Sequence, residues 1–484
     1  MAKTQRLKSF CLQLRFKSTQ LFILAGAVLL ALLVSVLCIG FTIRFEVQHE
    51  VANVADVDYW KDWVAIEQKL WYDRGIEELK RAMRVHSRQR QPRQVLLLMV
   101  HGIDAPALAS ARFVGNDGNT SSDFIWDRFS HAARLKNSCS YSSPCDAAAA
   151  FRSLWSGVPL SAVQRLRSNC SSSSSSGESE LLSVLRQAQL AGFRTGFVTN
   201  QRLTGALGSA LYAQVTPSGW ECDGLMPVGA IEAGCQDVAQ QLISSAAGQS
   251  FNVLLGGGRQ LFNAKVPSYE WDPVDELLCR ARAGRNLLRD WQTQKLKLRP
   301  SRRFELLQQA HELSSINGSS LDYLLGVLAN GDLSGNAQAP TLQLMLHKAL
   351  QVLQRPGVGH LLLVEHYVQP QLGVSEQLQL LNATLSEVLG HKDRDQLTLV
   401  LLTNGNYLSA SRDVSEETQL VSTLEEAFQG PELELQRRLQ QMPSESLLFA
   451  QGPKSVLFYG VHDETYLAQT LSHALGIDVF GRQL

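Results

Sequence analysis

The stretch QVLLLMVHGID, residues 94–104, indicates the fold class. A short, continuous apolar run that ends in a glycine turn is typical of a parallel strand buried on both faces. Helical patterns occupy residues 181–192 and 341–354. The strand pattern recurs in five further stretches: TGFVT (195–199), FNVLLGGG (251–258), HLLLVEH (360–366), LTLVLLTNG (397–405) and SVLFYG (455–460). Strands that alternate with helices predict a three-layer α/β/α fold with a largely parallel central sheet, which binds ligands beyond the carboxyl ends of its strands.

Composition limits the classes of function. The chain has 484 residues, of which 45% are apolar and 19% are charged, so it can bury a large core. Its 45 Lys and Arg residues equal its 45 Asp and Glu residues, which gives a net charge of zero. A protein that coats nucleic acid needs a basic surface, and the balance therefore argues against a nucleic-acid partner.

The N-terminal residues predict a membrane anchor. Residues 1–17 hold five basic side chains and no acidic one, and residues 21–43, LFILAGAVLLALLVSVLCIGFTI, are long enough to span a bilayer. The alternative is a cleaved signal peptide, whose apolar region is usually about 7–15 residues long and ends at small residues. For an uncleaved anchor, the positive-inside rule predicts a cytoplasmic tail (1–20), a transmembrane signal-anchor (21–43) and a lumenal or extracellular body. This is the topology of a single-pass type II membrane protein.

The ectodomain divides into a helical arm, residues 44–90, and a large domain, residues 91–484. Trp60, Trp63, Ile66, Leu70 and Trp71 follow helical spacing, which predicts an amphipathic arm on the main body. Six cysteines lie beyond the anchor and allow three disulfides in an oxidising compartment, although spacing leaves their pairing open. The sequons that predict a glycoprotein begin at Asn119, Asn169, Asn317 and Asn382.

The order of these motifs resembles that of the alkaline phosphatases. Residues 94–113, QVLLLMVHGIDAPALASARF, resemble the first strand and turn of that family, N-V-I-L-F-L-G-D-G-M-G. Further blocks follow in the family's order: EAGCQDVAQQLI (232–243), NVLLGGGRQLF (252–262) and FAQGPKSVLFYGVHDETYLAQ (449–469). The resemblance covers most of residues 58–475 and implies the alkaline phosphatase fold, preceded here by a transmembrane helix.

The resemblance also shows which parts of the family's chemistry are missing. In alkaline phosphatases a serine at a helix N terminus attacks the phosphorus, assisted by two zinc ions, a magnesium site and a phosphate-binding arginine. The nucleophile motif D-S-A reads Asp146-Ala147-Ala148 here, and Ala147 has no oxygen. We therefore expect no catalytic residue at this position. Asp146 is expected instead to cap a helix that begins in the alanine run, whose N terminus keeps a weak capacity for anions.

The family's metal-ligand positions are also largely changed. His101 replaces the bridging aspartate, GALG (205–208) replaces the H-A-S-P loop, and the phosphate-binding arginine aligns near Ser218. Glu365 is retained as a magnesium-type carboxylate. The zinc-ligand positions hold Pro370, Val374, Asn404, Gly405 and Gln441. The segment between Asn404 and Gln441 is shorter than in the family.

These substitutions predict that zinc and magnesium are not cofactors of this chain. Zinc needs three or four nitrogen, sulfur or oxygen donors in a tight shell. His101, Glu365 and His366 are the candidates for a substitute site, but a hydrogen-bonded histidine is the commoner arrangement. Glu365 is expected to be a buried carboxyl that is hydrogen-bonded or has a raised pKa.

Three functions remain open at this stage. The first is a catalytically inactive membrane glycoprotein that serves as a binding or regulatory module, as a homodimer or paired with an active relative. The second is a phosphate monoester hydrolase with a strongly altered metal site. The third is a decaying paralogue without a selected ectodomain function.

The resemblance further implies disulfides and a dimer. Cys170 and Cys235 occupy positions that are bridged in the family, Cys139 and Cys145 suggest a local loop, and Cys222–Cys279 remains by elimination. Alkaline phosphatases are mostly homodimers with an N-terminal arm on the neighbouring subunit. Residues 58–79 are expected to play that part, because their tryptophans need a partner surface.

Overall fold

A computed structural model describes thirteen stretches of the chain. They are residues 68–69, 71–72, 91–103, 105–114, 123–136, 146–165, 181–214, 219–298, 302–334, 336–369, 372–390, 396–403 and 445–477. The chain divides into two compact units, Met1–Lys61 and Asp62–Leu484, and every described residue belongs to the second. None of the described helices is both long and apolar enough to cross a membrane. The predicted signal-anchor, 21–43, and most of the predicted arm lie outside these stretches.

A ten-stranded sheet forms the centre of the described chain. Its strands run in the order β10-β2-β9-β8-β1-β7-β3-β4-β6-β5. All neighbouring pairs are parallel except those that β9 makes with β2 and β8. The strands are β1 (Gln94–His101), β2 (His131–Lys136), β3 (Arg194–Arg202), β4 (Val253–Gly257), β5 (Phe304–Leu307), β6 (Tyr323–Val327), β7 (His360–Tyr367), β8 (Gln396–Thr403), β9 (Glu445–Gln451) and β10 (Gly460–Asp463). The predicted largely parallel α/β sheet is confirmed.

Helices cover both faces of the sheet. They are α1 (Ala105–Val114), α2 (Ala147–Ser156), α3 (Leu160–Arg165), α4 (Val184–Leu190), α5 (Ala206–Tyr212), α6 (Val228–Glu232), α7 (Val238–Ser244), α8 (Ala246–Ser250), α9 (Arg259–Phe262), α10 (Leu287–Leu298), α11 (Glu312–Ser315), α12 (Leu342–Leu353), α13 (Val374–Gly390) and α14 (Tyr466–Leu475). Alternate residues of β1 enter two different hydrophobic clusters, because successive side chains of a strand point to opposite faces. The first face packs on α2, α4, α5, α7 and α14, and the second face packs on α1, α12 and α13.

The prediction of a strand at SVLFYG (455–460) is wrong. Ser455–Leu457 is a 3-10 turn, which follows Lys454 in a left-handed conformation with φ of 64°. Val456, Leu457 and Phe458 are buried because this turn packs into the first cluster. The strand lies earlier, in β9, where buried and more exposed residues alternate.

The described part of the arm packs on its own chain. Gln68 is fully buried, and its Nε2 donates hydrogen bonds to the Ser156 and Leu182 carbonyls at 2.9 and 2.8 Å. Four residues further on, the Tyr72 hydroxyl accepts a hydrogen bond from Gln187 Nε2 at 2.8 Å. At these residues, therefore, the arm lies on the main body, as the helical spacing predicts.

The structure describes both cysteines of one predicted disulfide. Cys222 is bonded to Cys279, with their Cα atoms 6.0 Å apart, which confirms the pairing that remained by elimination. Cys235 is also disulfide-bonded. Its expected partner, Cys170, and the expected Cys139–Cys145 pair lie outside the described residues.

The two sequons that can be examined differ in setting. Asn317 is exposed. Asn382 lies within α13, partly buried, and its Oδ1 accepts a hydrogen bond from the Ile125 backbone at 2.7 Å. Asn119 and Asn169 lie outside the described residues.

Candidate functional site

The polar residues of the predicted site meet at the carboxyl ends of four strands. His101, the last residue of β1, is in register with Tyr367 of β7 and Thr403 of β8. Thr199 of β3 is in register with Glu365 of β7. The carboxyl ends of parallel strands form one edge, so this register places the side chains at the edge where such sheets bind ligands.

At this edge four side chains form a buried threonine–histidine–glutamate chain. His101 Nδ1 lies 3.0 Å from Thr403 Oγ1, and His101 Nε2 lies 3.2 Å from Glu365 Oε1. The second contact has the distance of an ion pair but not the angles of a hydrogen bond. Thr199 Oγ1 donates a hydrogen bond of 2.7 Å to Glu365 Oε2. His101 is 0% exposed and Glu365 is 3% exposed, so the expectation of a buried, hydrogen-bonded Glu365 is confirmed.

Helix α2, which lies beside these four side chains, begins at the alanine run, as the sequence predicts. Asp146 is the N-cap of α2, and its Oδ1 accepts hydrogen bonds from the Ala148 and Ala149 backbones at 3.0 and 3.3 Å. Ala147 is 1% exposed and belongs to the first hydrophobic cluster. One turn later, Phe151 lies edge-on to the His101 ring, with centroids 5.5 Å apart. The cap thus uses backbone N–H groups that would otherwise be free for an anion.

The three candidates for a substitute metal site, His101, Glu365 and His366, do not point to a common centre. Consecutive strand residues point to opposite faces, so His366 faces away from Glu365 and lines a cavity with Leu342 and Met345 of the second face. Throughout the described part of the chain, no three His, Cys, Asp or Glu side chains come together in a group that could hold a metal ion.

His366 lies on the opposite face of the sheet from Glu365 and makes no hydrogen bond through its ring nitrogens. Burial, and then the proximity of His101, lowers the pKa of His366 to about 4, so its imidazole is neutral at physiological pH. Both of its ring nitrogens are shielded from solvent and have no hydrogen-bond partner.

The segment aligned with the family's H-A-S-P loop is helical here. Helix α5 begins directly after Gly205, and Leu207 is fully buried in the same cluster as Ala147. A Cβ atom at Gly208 would lie 2.3 Å from the Leu203 carbonyl oxygen, so only glycine fits. An apolar core therefore occupies the side of the site where the family has a hydroxyl.

Of the remaining predicted positions, the structure describes one. Val374 is the first residue of α13 and is partly buried. The other positions, Ser218, Pro370, Asn404, Gly405 and Gln441, lie outside the described residues.

Sequence reasoning missed an ion cluster at the end of β3. Arg202 forms a two-point contact with Glu221, at 3.0 Å to each carboxylate oxygen, and its Nη1 lies 2.8 Å from Asp332 Oδ2. Burial disfavours the charged guanidinium, but the two carboxylates outweigh it and raise the pKa of Arg202. Burial also raises the pKa of Asp332, although Arg202 opposes that shift. No sequence motif marks this cluster, whose residues are up to 130 positions apart.

This arrangement defines an α/β protein whose polar centre lies at the carboxyl edge of its sheet, beside a helix N terminus. The family model for alkaline phosphatase matches residues 92–406, and the chain belongs to the alkaline phosphatase family. It is 24% identical over 472 residues to the alkaline phosphatase of Gadus morhua, with 84% of this chain and 97% of that protein covered. It is 25% identical over 386 residues to the membrane-bound alkaline phosphatase of Bombyx mori, with 74% and 69% covered.

A solved structure supports the same fold. The alkaline phosphatase from the Antarctic bacterium TAB5 superposes with a TM-score of 0.50 at 14% sequence identity. The superposition covers 80% of this chain and 99% of that one.

Proposed function

We propose that this chain is a catalytically inactive member of the alkaline phosphatase family that acts as a membrane-anchored binding or regulatory module. The observation that carries the proposal is the place of Ala147. It stands at the family's nucleophile position, it has no oxygen, and its side chain is packed in the hydrophobic core. A phosphoryl group therefore has no side-chain oxygen to bond to at this position.

The chemistry of the metal-ligand positions supports the proposal. His101 and Glu365 are the potential metal ligands among the family's aligned positions that the structure describes, and each contacts a threonine hydroxyl, Thr403 and Thr199 respectively. Zinc takes three or four donors, and Pro370, Val374 and Gly405 have no side-chain donor to add. The residues present therefore do not fit the family's zinc pair.

The competing function is phosphate monoester hydrolysis with an altered metal site. The names of the relatives favour it, since both are called alkaline phosphatases. It requires a nucleophile other than Ala147 and metal donors other than the positions described above. Activity measurements decide between the two.

Restoring the hydroxyl at the nucleophile position should not restore activity. In Ala147→Ser the new serine has no adjacent base or metal ion, so it stays protonated at neutral pH and attacks poorly. We expect aryl-phosphate hydrolysis by this variant, with zinc and magnesium added, to equal that of a mock purification. Ala148→Ser is the matched control for adding a hydroxyl to the same helix turn. Turnover in Ala147→Ser but not in Ala148→Ser would show that a usable catalytic site persists.

The proposed topology has its own test. We propose that residues 21–43 anchor the chain in a membrane, which the name of the membrane-bound Bombyx mori relative supports. We propose a type II orientation from the basic residues before this span alone. Protein from secretory-competent cells should migrate faster on a gel after enzymatic removal of N-linked glycans. Unchanged mobility would argue against a lumenal or extracellular body.

We also propose that the protein functions as a homodimer or as a pair with an active relative. Trp60 and Trp63, which lie outside the described residues, are the support for this, because apolar side chains on an arm favour a partner surface. Light scattering at micromolar concentration should give the mass of a dimer after subtraction of the detergent. A monomer mass under these conditions would contradict the proposal for the homodimer.

A further inference from the structure

A small cavity lies on the second face of the sheet, on the other side from Ala147. It has a volume of about 160 Å³ and opens between the carboxyl ends of β3 and β7 and the helices α12 and α13. His366 lines it together with apolar side chains such as Leu333, Leu342 and Met345. Ligands of parallel α/β sheets bind beyond the carboxyl ends of the strands, so the cavity occupies a typical ligand position.

Most polar groups around the cavity are already bonded to one another. Asn200 Nδ2 donates to the Tyr367 carbonyl, and Asn200 Oδ1 accepts from the Tyr367 N–H, both at 2.9 Å. Gln377 Oε1 accepts from the Gln369 N–H at 3.0 Å, and Gln377 Nε2 donates to the Gln369 carbonyl at 2.7 Å. These amides build the wall and have little capacity left for a ligand.

His366 is the exception. Its two ring nitrogens are buried without a partner, which costs free energy that a ligand could recover. Both nitrogens are shielded from solvent, and His366 is one of the residues that line the cavity. A half-turn of the ring about the Cβ–Cγ bond exchanges each nitrogen with a carbon and moves no backbone atom. A hydrogen bond from a ligand in the cavity would use a nitrogen that ring rotation exposes.

The surroundings define the chemistry of the ligand. Among the described lining residues there is no Asp, Glu, Lys or Arg, so a charged ligand such as phosphate has no counter-ion. An apolar cavity of about 150 Å³ holds a benzene ring, so the volume here suits one small ring.

We propose that this cavity binds a small, neutral, mostly apolar molecule of about the size of phenol, held by one hydrogen bond to His366. The site is separate from the family's phosphate centre, because the sheet lies between them. It therefore does not depend on whether the chain hydrolyses phosphate esters.

The test measures phenol binding to the full-length chain in detergent micelles by titration calorimetry. The concentration of free phenol is measured as well, because part of the phenol enters the micelles. Toluene has a similar size and no hydrogen-bonding group. We expect saturable binding of one phenol per chain, with toluene bound about fivefold more weakly, the effect of one net hydrogen bond.

Two variants distinguish the contribution of the His366 hydrogen bond from that of the cavity volume. His366→Leu should remove the preference for phenol over toluene, and Ala339→Leu, which fills the cavity, should weaken phenol binding more than tenfold. Leu380→Ser, at an exposed position of α13 outside the cavity, should bind phenol as the wild type does. Thermal unfolding identifies any variant that does not fold. If Ala339→Leu does not fold, the comparison of phenol and toluene binding to His366→Leu decides the test. Absence of saturable phenol binding, or equal binding of phenol and toluene to the wild type, would overturn the proposal.

Discussion

Replacing Asp272 with alanine is expected to lower the free energy of unfolding by about 3–5 kcal/mol, the usual cost of breaking a buried ion pair. Its carboxylate pairs with the Arg259 guanidinium, and Arg259 is 1% exposed. The other carboxylate oxygen accepts a hydrogen bond from the Asn330 backbone at 2.8 Å. Asp272→Ala therefore leaves the buried Arg259 cation without its counter-ion and the Asn330 N–H group without its acceptor.

An exposed ion pair of the same chain is the matched control. Arg280 Nη1 lies 3.3 Å from Glu276 Oε1, and both side chains are more than half exposed. Glu276→Ala should change stability by no more than about 0.5 kcal/mol, because solvent screens such pairs. Urea unfolding of the three proteins at one pH gives the comparison. Equal midpoints for Asp272→Ala and Glu276→Ala would contradict the assigned role of the buried pair.

Removal of the Cys222–Cys279 disulfide should have an effect of similar size. The bond closes a loop between residues 57 positions apart. The loss of chain entropy that such a loop imposes on the unfolded state corresponds to about 4 kcal/mol. The double variant Cys222→Ala/Cys279→Ala is the appropriate one, since it leaves no unpaired thiol. Its urea midpoint should fall well below that of the wild type.

The control for the disulfide is Leu277→Ala, two residues before Cys279. Leu277 is almost fully exposed, so its truncation should leave the midpoint nearly unchanged. Peptide mapping under non-reducing conditions confirms that the wild type contains the bond. A double variant that unfolds at the wild-type midpoint would show that the bond does not constrain the unfolded chain.

The central strands of the fold were predictable because they are buried on both faces. β1, β3, β4, β7 and β8 appear in the sequence as continuous apolar runs. The outer strands β2 and β10 have no such run, since each has exposed residues in its burial pattern. Periodicity also does not distinguish a short buried turn from a strand, which is why SVLFYG was misassigned.

The resemblance assigned His101, Ala147 and Glu365 to the family's catalytic site, and these assignments stay predictions. The contacts of these side chains were predictable only in part. The separation of His366 from Glu365 could have been found from the alternation of side chains along β7. The contact of His101 with Thr403 could not, because it depends on which strands are neighbours, and these residues are 302 positions apart.

The measurement that tests the central claim most directly is the metal content and turnover of the wild-type, full-length protein. The protein would be purified with zinc and magnesium present and then analysed for bound metal and for aryl-phosphate hydrolysis from mildly acidic to alkaline pH. The alkaline phosphatase of Gadus morhua, treated in the same way, is the active reference. We predict zinc far below one ion per chain and hydrolysis equal to that of a mock purification. Stoichiometric zinc together with turnover well above the mock purification would contradict the proposal that this chain is catalytically inactive.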